Sequence, residues 1–137
     1  MSIRVSTDRP APCALIVEDS PEQRQYLTAV LMIAGFDVTA LSDGDRAVEE
    51  AVRLRPALIC LDVVLPNLGG LEICERLRQT PETAGIPVII TSGRGSALDR
   101  AQAEMAGADE VVVKPVDPVR FGVMAHALVA RRTISDG

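Results

Sequence analysis

The sequence is poor in aromatic residues and cysteines, and both shortages limit what the protein does. Only Tyr26, Phe36 and Phe121 are aromatic among 137 residues, so recognition of bases or sugars by aromatic stacking is not expected. The three cysteines are an odd number, and two of them lie within apolar patterns, where reduced and buried thiols are common. We therefore assign the cysteines no metal or redox role.

Long apolar runs and clustered basic residues are also missing. No apolar stretch approaches the roughly 20 residues that cross a bilayer, and Asp8, Pro10 and Pro12 stand where a signal peptide would be apolar. The formal net charge is -5 and there is no run of Lys or Arg, which argues against direct nucleic-acid binding because such binding needs a basic face. We expect a cytoplasmic protein without membrane insertion.

The length and the 47% hydrophobic content fit one domain with one core. Residues 1–11 are polar and proline-bearing, and residues 131–137 have no periodicity, so both ends are predicted to be loose tails. The sequence thus predicts a single folded domain over residues 12–130.

Four short apolar runs each end in a reactive residue, and this regularity predicts a site. Runs of this kind, bounded by turn residues, are typical of strands buried on both faces of a parallel sheet. Ligands in such sheets bind just beyond the carboxyl ends of the strands. The residues that end these runs are Glu18 with Asp19, Asp62, Thr91 and Lys114. We expect them to share one edge of one sheet.

Helical patterns separate the strands. Ser20 is a predicted helix N-cap, with Gln23 at the position that completes a capping box. Residues 97–106 form the weakest helix, whose apolar face is mostly Ala with bulk only from Leu98 and Met105, and we expect it to be the most mobile element. Five strands alternating with five helices predict a doubly wound α/β fold, with a parallel sheet covered by helices on both faces.

The residue types at the strand ends suggest metal and phosphate chemistry. Three carboxylates at neighbouring strand ends repel one another unless a cation lies among them, and Mg²⁺ fits because it takes one or two carboxylates and keeps open positions for phosphoryl oxygens. Lys114 supplies a positive charge and Thr91 a hydroxyl, and both suit phosphoryl oxygens. With these groups in place, one carboxylate can act as a nucleophile towards phosphorus.

These residues resemble the receiver domain of two-component response regulators, as in the chemotaxis regulators. The resemblance covers about residues 12–130. Its motifs are Glu18-Asp19, the run from Asp62 to Gly70, Thr91-Ser92 and the run from Gly107 to Pro115. It implies a flavodoxin-like fold whose five parallel strands have the order 2-1-3-4-5.

The resemblance also implies a signalling role and not that of a metabolic enzyme. Asp62 is expected to accept a phosphoryl group from a phosphohistidine on a sensor histidine kinase or a histidine phosphotransfer protein. Thr91 and Lys114 are expected to hold the phosphoryl oxygens, and Pro115 to follow through a cis Lys-Pro bond. Such a domain catalyses its own phosphorylation and dephosphorylation.

A magnesium site is implied at the same place. The resemblance assigns Mg²⁺ to Asp19, Asp62 and the backbone carbonyl of Val64, with Glu18 acting partly through water. Val64 and Gly93 carry no side chain that could orient a hydrolytic water, so we expect slow hydrolysis of the acyl phosphate for this family.

One position departs from the family pattern. The family usually has Tyr or Phe three residues before the lysine, where the ring turns inward as the threonine moves towards the phosphoryl group. Here that position is Val111. A β-branched side chain has no ring to turn, so coupling through Thr91 and Val111 is expected to be weaker.

The signal is expected to leave through the face of the 97–106 helix, where a separate, unknown downstream protein reads it. Three alternatives stay open: a phosphate relay or sink, a receiver belonging to a hybrid histidine kinase or a longer regulator, and a binding module that works without phosphate. The intact motif residues disfavour the last of these. A hydrolase of the haloacid dehalogenase type is disfavoured because that class has a second Asp where Val64 stands.

Overall fold

The structure is a computed structural model that describes residues 10–136 of the chain. Five strands and five helices alternate along it. The elements are β1 (Cys13–Val17), α1 (Pro21–Ile33), β2 (Asp37–Leu41), α2 (Ala47–Leu54), β3 (Leu58–Asp62), α3 (Gly70–Gln79), β4 (Val88–Ser92), α4 (Ala97–Met105), β5 (Glu110–Val113) and α5 (Pro118–Asp136).

The five strands form one parallel sheet in the order β2-β1-β3-β4-β5. This order confirms the predicted doubly wound, flavodoxin-like fold. β1, β3 and β4 are central and almost wholly buried, as their continuous apolar sequences predict, whereas the edge strand β2 is partly exposed. The carboxyl ends of the three central strands therefore meet in the middle of one edge.

Each face of the sheet has its own core. Leu15 and Val17 of β1 point to the face covered by α2, α3 and α4. Ala14 and Ile16 alternate with them and pack against α1 and α5 on the other face. Because both faces are covered, the backbone of the central strands is held rigidly, and so is the direction in which their last side chains point.

The N-terminus of α1 has a side-chain N-cap but not the reciprocal capping box. The Ser20 Oγ accepts a hydrogen bond of 3.3 Å from the Gln23 N–H, and Pro21 is the first helical residue, both as predicted. The return bond of a capping box is not formed, because the Ser20 N–H donates to the Glu18 carboxylate and the Gln23 side chain turns towards Lys114. The interpretation of Gln23 as a capping residue was wrong.

The last helix is longer than predicted. α5 continues to Asp136, through residues 131–136 that were expected to form a loose tail. No Gly or Pro follows Gly122 until Gly137, so the sequence contains no signal that would end the helix earlier. Most of the predicted N-terminal tail, residues 1–9, lies outside the described residues. Within residues 10–136 no helix is long and apolar enough to cross a membrane.

α4 is held by less apolar surface than its sequence suggested. Leu98 is 66% exposed and Met105 is 87% exposed, so the two bulky side chains assigned to the apolar face do not pack on the core. Ala103 is the buried residue of the helix, and Ala106 just beyond its end is also buried. The apolar attachment of α4 to the sheet therefore depends on two methyl groups, beside one long hydrogen bond of 3.4 Å from the Ser92 hydroxyl to Asp99.

Candidate functional site

The predicted site residues converge at the carboxyl edge of the sheet. Asp62 is paired directly with Thr91 across β3 and β4. Glu18 follows Val17, whose partner in β3 is the residue before Asp62. The Lys114 backbone N–H donates to the Ser92 carbonyl at the end of β4 at 2.9 Å, so Lys114 lies at the same edge of the sheet.

The Lys114 ammonium lies at the centre of this group. Its Nζ is 2.9 Å from the Glu18 Oε1 and 2.9 Å from the Asp62 Oδ2. It also donates a hydrogen bond to the Gln23 Oε1. An ammonium has three protons and no acceptor, so these three oxygens satisfy it. Lys114 is the only lysine of the sequence, and no second lysine can replace it.

Burial affects the pKa values of the charged groups in this site. The Glu18 side chain is 3% exposed and the Asp62 side chain 7% exposed, against 20% for Lys114. Burial raises the pKa of the Glu18 carboxyl, although hydrogen bonds from Lys114 and from the Ser20 N–H act in the opposite direction. Burial alone would lower the pKa of Lys114, but its hydrogen bonds to the two carboxylates raise it above the ordinary value. The lysine therefore stays charged.

Backbone groups and an arginine hold the acidic residues in place. The Glu18 Oε2 accepts a hydrogen bond of 3.0 Å from the Ser20 N–H, and the Asp62 Oδ1 one of 3.2 Å from the Val64 N–H. The Arg24 Nη1 donates to the Glu18 carbonyl at 2.9 Å and to the Asp19 carbonyl at 3.3 Å. Arg24 was not predicted from the sequence, since an arginine on a surface helix carries no signal of its own.

The three carboxylates fit a hard divalent cation. Glu18, Asp19 and Asp62 each offer one ligand oxygen, and these oxygens lie within 4.8 Å of one another. Oxygen donors of this kind, with one exposed member left open to water, match the preference of Mg²⁺ for few carboxylates and several waters. The donor set and its spacing therefore agree with the predicted magnesium site.

Thr91 lies in the site with its hydroxyl weakly engaged. The residue is buried, and its Oγ1 is 3.4 Å from the Leu61 carbonyl, which is long for a hydroxyl donor. Ser92 next to it is turned towards the loop before α4, where its Oγ accepts bonds of 3.2 and 3.1 Å from the Arg94 and Gly95 N–H groups. The Thr91 hydroxyl can therefore be redirected at small cost, whereas Ser92 is committed to the loop.

The Val111 side chain is partly buried and packs against the core beneath α4. The peptide bond between Lys114 and Pro115 is cis. β5 thus offers a compact aliphatic side chain at the position where the family pattern has a ring.

Gly70 supports Asp62 by close packing. A Cβ at Gly70 would lie 2.2 Å from the Asp62 carbonyl oxygen, because the first turn of α3 presses on the end of β3. Neither Gly69 nor Gly70 has a positive φ, so backbone conformation alone does not require glycine at either position. The glycine at position 70 is needed for contact between helix and strand, a role that sequence alone does not separate from a turn.

A cleft of about 570 Å³ opens beside the ammonium, between α1 and the segment after β5. Gln23 and Tyr26 of α1 line one wall, and Thr91, Lys114 and Pro115 line the other. A cavity of this size admits a small phosphate ester or one side chain of a partner, but not a folded domain.

Comparison with known proteins gives a consistent result. The sequence model of the response regulator receiver domain matches residues 14–125. The chain is 37% identical over 120 residues to the DNA-binding dual master transcriptional regulator RpaA of Synechocystis sp., in an alignment covering 88% of this chain and 50% of that protein. The chain spans about half the length of the curated relatives it matches.

Solved structures show the same fold. The receiver domain of a signal transduction histidine kinase from Syntrophus aciditrophicus matches with a TM-score of 0.80 and 32% identity, covering 88% of this chain and 91% of that one. The receiver domain of sensor histidine kinase PA1611 from Pseudomonas aeruginosa matches with a TM-score of 0.82 and 27% identity, covering 88% and 98%. That structure has a magnesium ion coordinated in its active-site cleft.

Proposed function

The chain belongs to the family of response regulator receiver domains, and on that premise we propose that Asp62 accepts a phosphoryl group from a phosphohistidine on a sensor histidine kinase or a histidine phosphotransfer protein. One observation carries the proposal: a single ammonium, that of Lys114, lies 2.9 Å from the Asp62 carboxylate in a nearly buried acidic site. A carboxylate oxygen held beside a fixed cation is suited to attack phosphorus.

The transfer exchanges one bond for another. An Asp62 carboxylate oxygen bonds to phosphorus as the phosphorus–nitrogen bond of the donor breaks. The imidazole nitrogen keeps the electron pair of that bond and takes a proton from solvent. Lys114 and the redirected Thr91 hydroxyl hold the phosphoryl oxygens, and their charge and hydrogen bonds stabilise the transition state.

We assign Mg²⁺ to Asp19, Asp62 and the carbonyl of Val64, with Glu18 acting partly through water. When bound, the ion neutralises carboxylate charge and supplies a positive centre for phosphoryl oxygens. The spacing of the three carboxylate oxygens supports this assignment, and so does the magnesium ion in the Pseudomonas receiver domain.

The phosphate comes from another molecule. The only histidine of the chain is His126, which lies on α5 against the Phe36 ring, with ring centroids 4.9 Å apart. His126 also contacts the Ala34 carbonyl, so it lies beside the residues that precede β2, at the opposite edge of the sheet from Asp62, and it is not the donor. RpaA is DNA-binding by name, but this chain matches half of it and has a net charge of -5, so we propose no direct nucleic-acid contact by this domain.

The signal is proposed to leave through α4. A phosphoryl group on Asp62 adds about -1.5 to -2 charges and draws Thr91 and Lys114 towards it. That movement pulls on the ends of β4 and β5, between which α4 lies. Since α4 is anchored by Ala103 and Ala106, it is the element that changes position most easily, and an unknown downstream protein reads its face.

A phosphate relay, or a receiver within a hybrid kinase, is the second candidate. Val111 favours it, because without an aromatic ring at that position the coupling from Thr91 to α4 is weaker while phosphoryl transfer is unaffected. Both solved receiver domains described above are parts of histidine kinases. A relay would pass label from Asp62 to a histidine of a phosphotransfer protein, which a two-protein labelling assay measures directly.

The test of the proposed function is labelling by acetyl phosphate with Mg²⁺, followed by intact-mass measurement. The unaltered protein is expected to gain one phosphoryl group, and Asp62→Asn none. Asp45→Asn is the matched control, since Asp45 is an exposed acid in the loop before α2, and it should label normally. No label on the unaltered protein, or persistent label on Asp62→Asn, would contradict the proposal.

A further inference from the structure

Gln23 contacts the reactive lysine from outside the set of motif residues. It lies in the first turn of α1, and its amide oxygen accepts a hydrogen bond from the Lys114 Nζ across 91 positions of sequence. Because an ammonium only donates, the amide oxygen must be the contacting atom. The contact is exposed at the mouth of the cleft, whereas the two carboxylate contacts lie deeper.

The helix that carries Gln23 is tied to the segment that follows Lys114. The Tyr26 hydroxyl, one turn further along α1, donates to the Val116 carbonyl at 2.9 Å. This bond fixes the distance between α1 and the chain just after the lysine. The Gln23 amide and the Lys114 ammonium are thus held opposite each other by their backbones and do not meet by chance.

The three acceptors of the ammonium differ in what else they are needed for. Glu18 and Asp62 are carboxylates that the proposed function also assigns to the metal and the phosphoryl group. Gln23 is neutral and has no part in either. It is therefore the acceptor that stays available when the charges of the carboxylates are shared with a cation.

We propose that Gln23 is a positioning residue that holds the Lys114 ammonium on the α1 side of Asp62, a role that rests on the proposed phosphoryl acceptance. One N–H of the ammonium stays hydrogen-bonded to the Gln23 oxygen. This bond directs the other two N–H groups towards Asp62 and towards the oxygens of the phosphoryl group that Asp62 receives. Without Gln23 one ammonium proton loses its fixed acceptor, and fewer encounters with a donor find the ammonium correctly oriented.

Gln23→Leu tests this, since it removes the acceptor oxygen and shortens the side chain by only one atom. The Ser20 cap is preserved because it uses the Gln23 backbone N–H. We expect the rate of phosphoryl acceptance from acetyl phosphate to fall about fivefold to tenfold, as for one hydrogen bond to a charged group at a site open to water. Gln25→Leu, the same change at an exposed position of the same helix, should keep the unaltered rate.

A double-mutant cycle separates positioning from a general structural effect. In the Lys114→Met background, Gln23→Leu should change the residual rate by less than about twofold, because its only route to the reaction is the lysine. An equal loss in both backgrounds would overturn the inference, and so would a rate for Gln23→Leu equal to that of Gln25→Leu. If the unaltered protein accepts no phosphoryl group, the proposed function and this inference fail together.

A second readout needs neither catalysis nor metal. Because Lys114 is the only lysine, protein labelled with ¹⁵N-lysine gives a single side-chain ammonium signal. Gln23→Leu should shift this signal and speed its proton exchange with water, while Gln23→Glu, which keeps an acceptor oxygen, should preserve slow exchange. An ammonium signal that Gln23→Leu leaves unchanged would overturn the inference even if the rate fell.

Discussion

Removing the central ammonium should destabilise the fold in a way that depends on pH. In Lys114→Met the Glu18 and Asp62 carboxylates, 3% and 7% exposed, lose the cation they share. Breaking a buried ion pair from one side costs about 3–5 kcal/mol. Lys114 is itself 20% exposed, so water partly replaces it, and we expect the low end, a loss of about 3 kcal/mol in the free energy of unfolding at pH 7.

The pH dependence has a defined sign. Burial raises the pKa of Glu18 in the folded protein above its ordinary value of 4.5. The contribution of Glu18 to stability is therefore fully present below that ordinary value and is lost as the pH rises through the folded pKa. A protonated Glu18 needs no cation, so the cost of Lys114→Met should be largest at neutral pH and should shrink towards pH 4.5.

Urea denaturation of metal-free protein at several pH values measures both effects. Arg120→Met is the control, since Arg120 is an exposed base on α5 and its loss should leave the unfolding free energy nearly unchanged. In the Asp62→Asn background, Lys114→Met should lower the free energy of unfolding by less, because one of the two buried carboxylates that lose their cation is already absent. A loss for Lys114→Met no larger than that for Arg120→Met, or one that grows as the pH falls, would refute the reasoning.

Three further predictions concern the same site. Gly70→Ala should lower the free energy of unfolding by about 2 kcal/mol or more in urea denaturation, because its Cβ would lie 2.2 Å from the Asp62 carbonyl oxygen. Gly69→Ala, whose Cβ would have no neighbour closer than 3.6 Å, should leave the free energy of unfolding nearly unchanged. Chelation of Mg²⁺ should lower the thermal unfolding midpoint of the unaltered protein but not that of Asp19→Asn; equal shifts would remove Asp19 from the metal site. The acyl phosphate should persist for minutes in mass measurements after the donor is removed, because Val64 and Gly93 have apolar or no side chains; loss within seconds would contradict this.

The sequence predicted the strands and the residues that end them because both signals are local. An apolar run such as Leu58 to Leu61 has one stable location, the interior of a covered sheet, and the residue after it must emerge at the edge. Parallel strands bring these ends together whatever the lengths of the helices between them. The placement of Asp62, Thr91 and Lys114 on one edge of the sheet therefore followed from pattern, and the strand order that makes them neighbours followed from the resemblance to receiver domains.

What the sequence did not reveal depends on contacts between distant elements. Gln23 matched a capping box, a local rule, but its side chain is used 91 positions away by Lys114. Leu98 and Met105 looked like the anchors of α4, yet both are exposed, since the helix sits on the sheet through smaller residues. In each case the pattern was recognised correctly, and the tertiary contact that decides the role carried no sequence signal.

The proposed phosphoryl acceptance depends most on five side chains meeting around one metal ion and one phosphoryl group. The most direct measurement is a crystal structure of the protein with Mg²⁺ and beryllofluoride, which mimics an acyl phosphate. We predict beryllofluoride on Asp62, with Lys114 and Thr91 donating to its fluorines and the magnesium ion bound by Asp19 and Asp62. Beryllofluoride on another residue, or Lys114 and Thr91 turned away from it, would contradict the central claim.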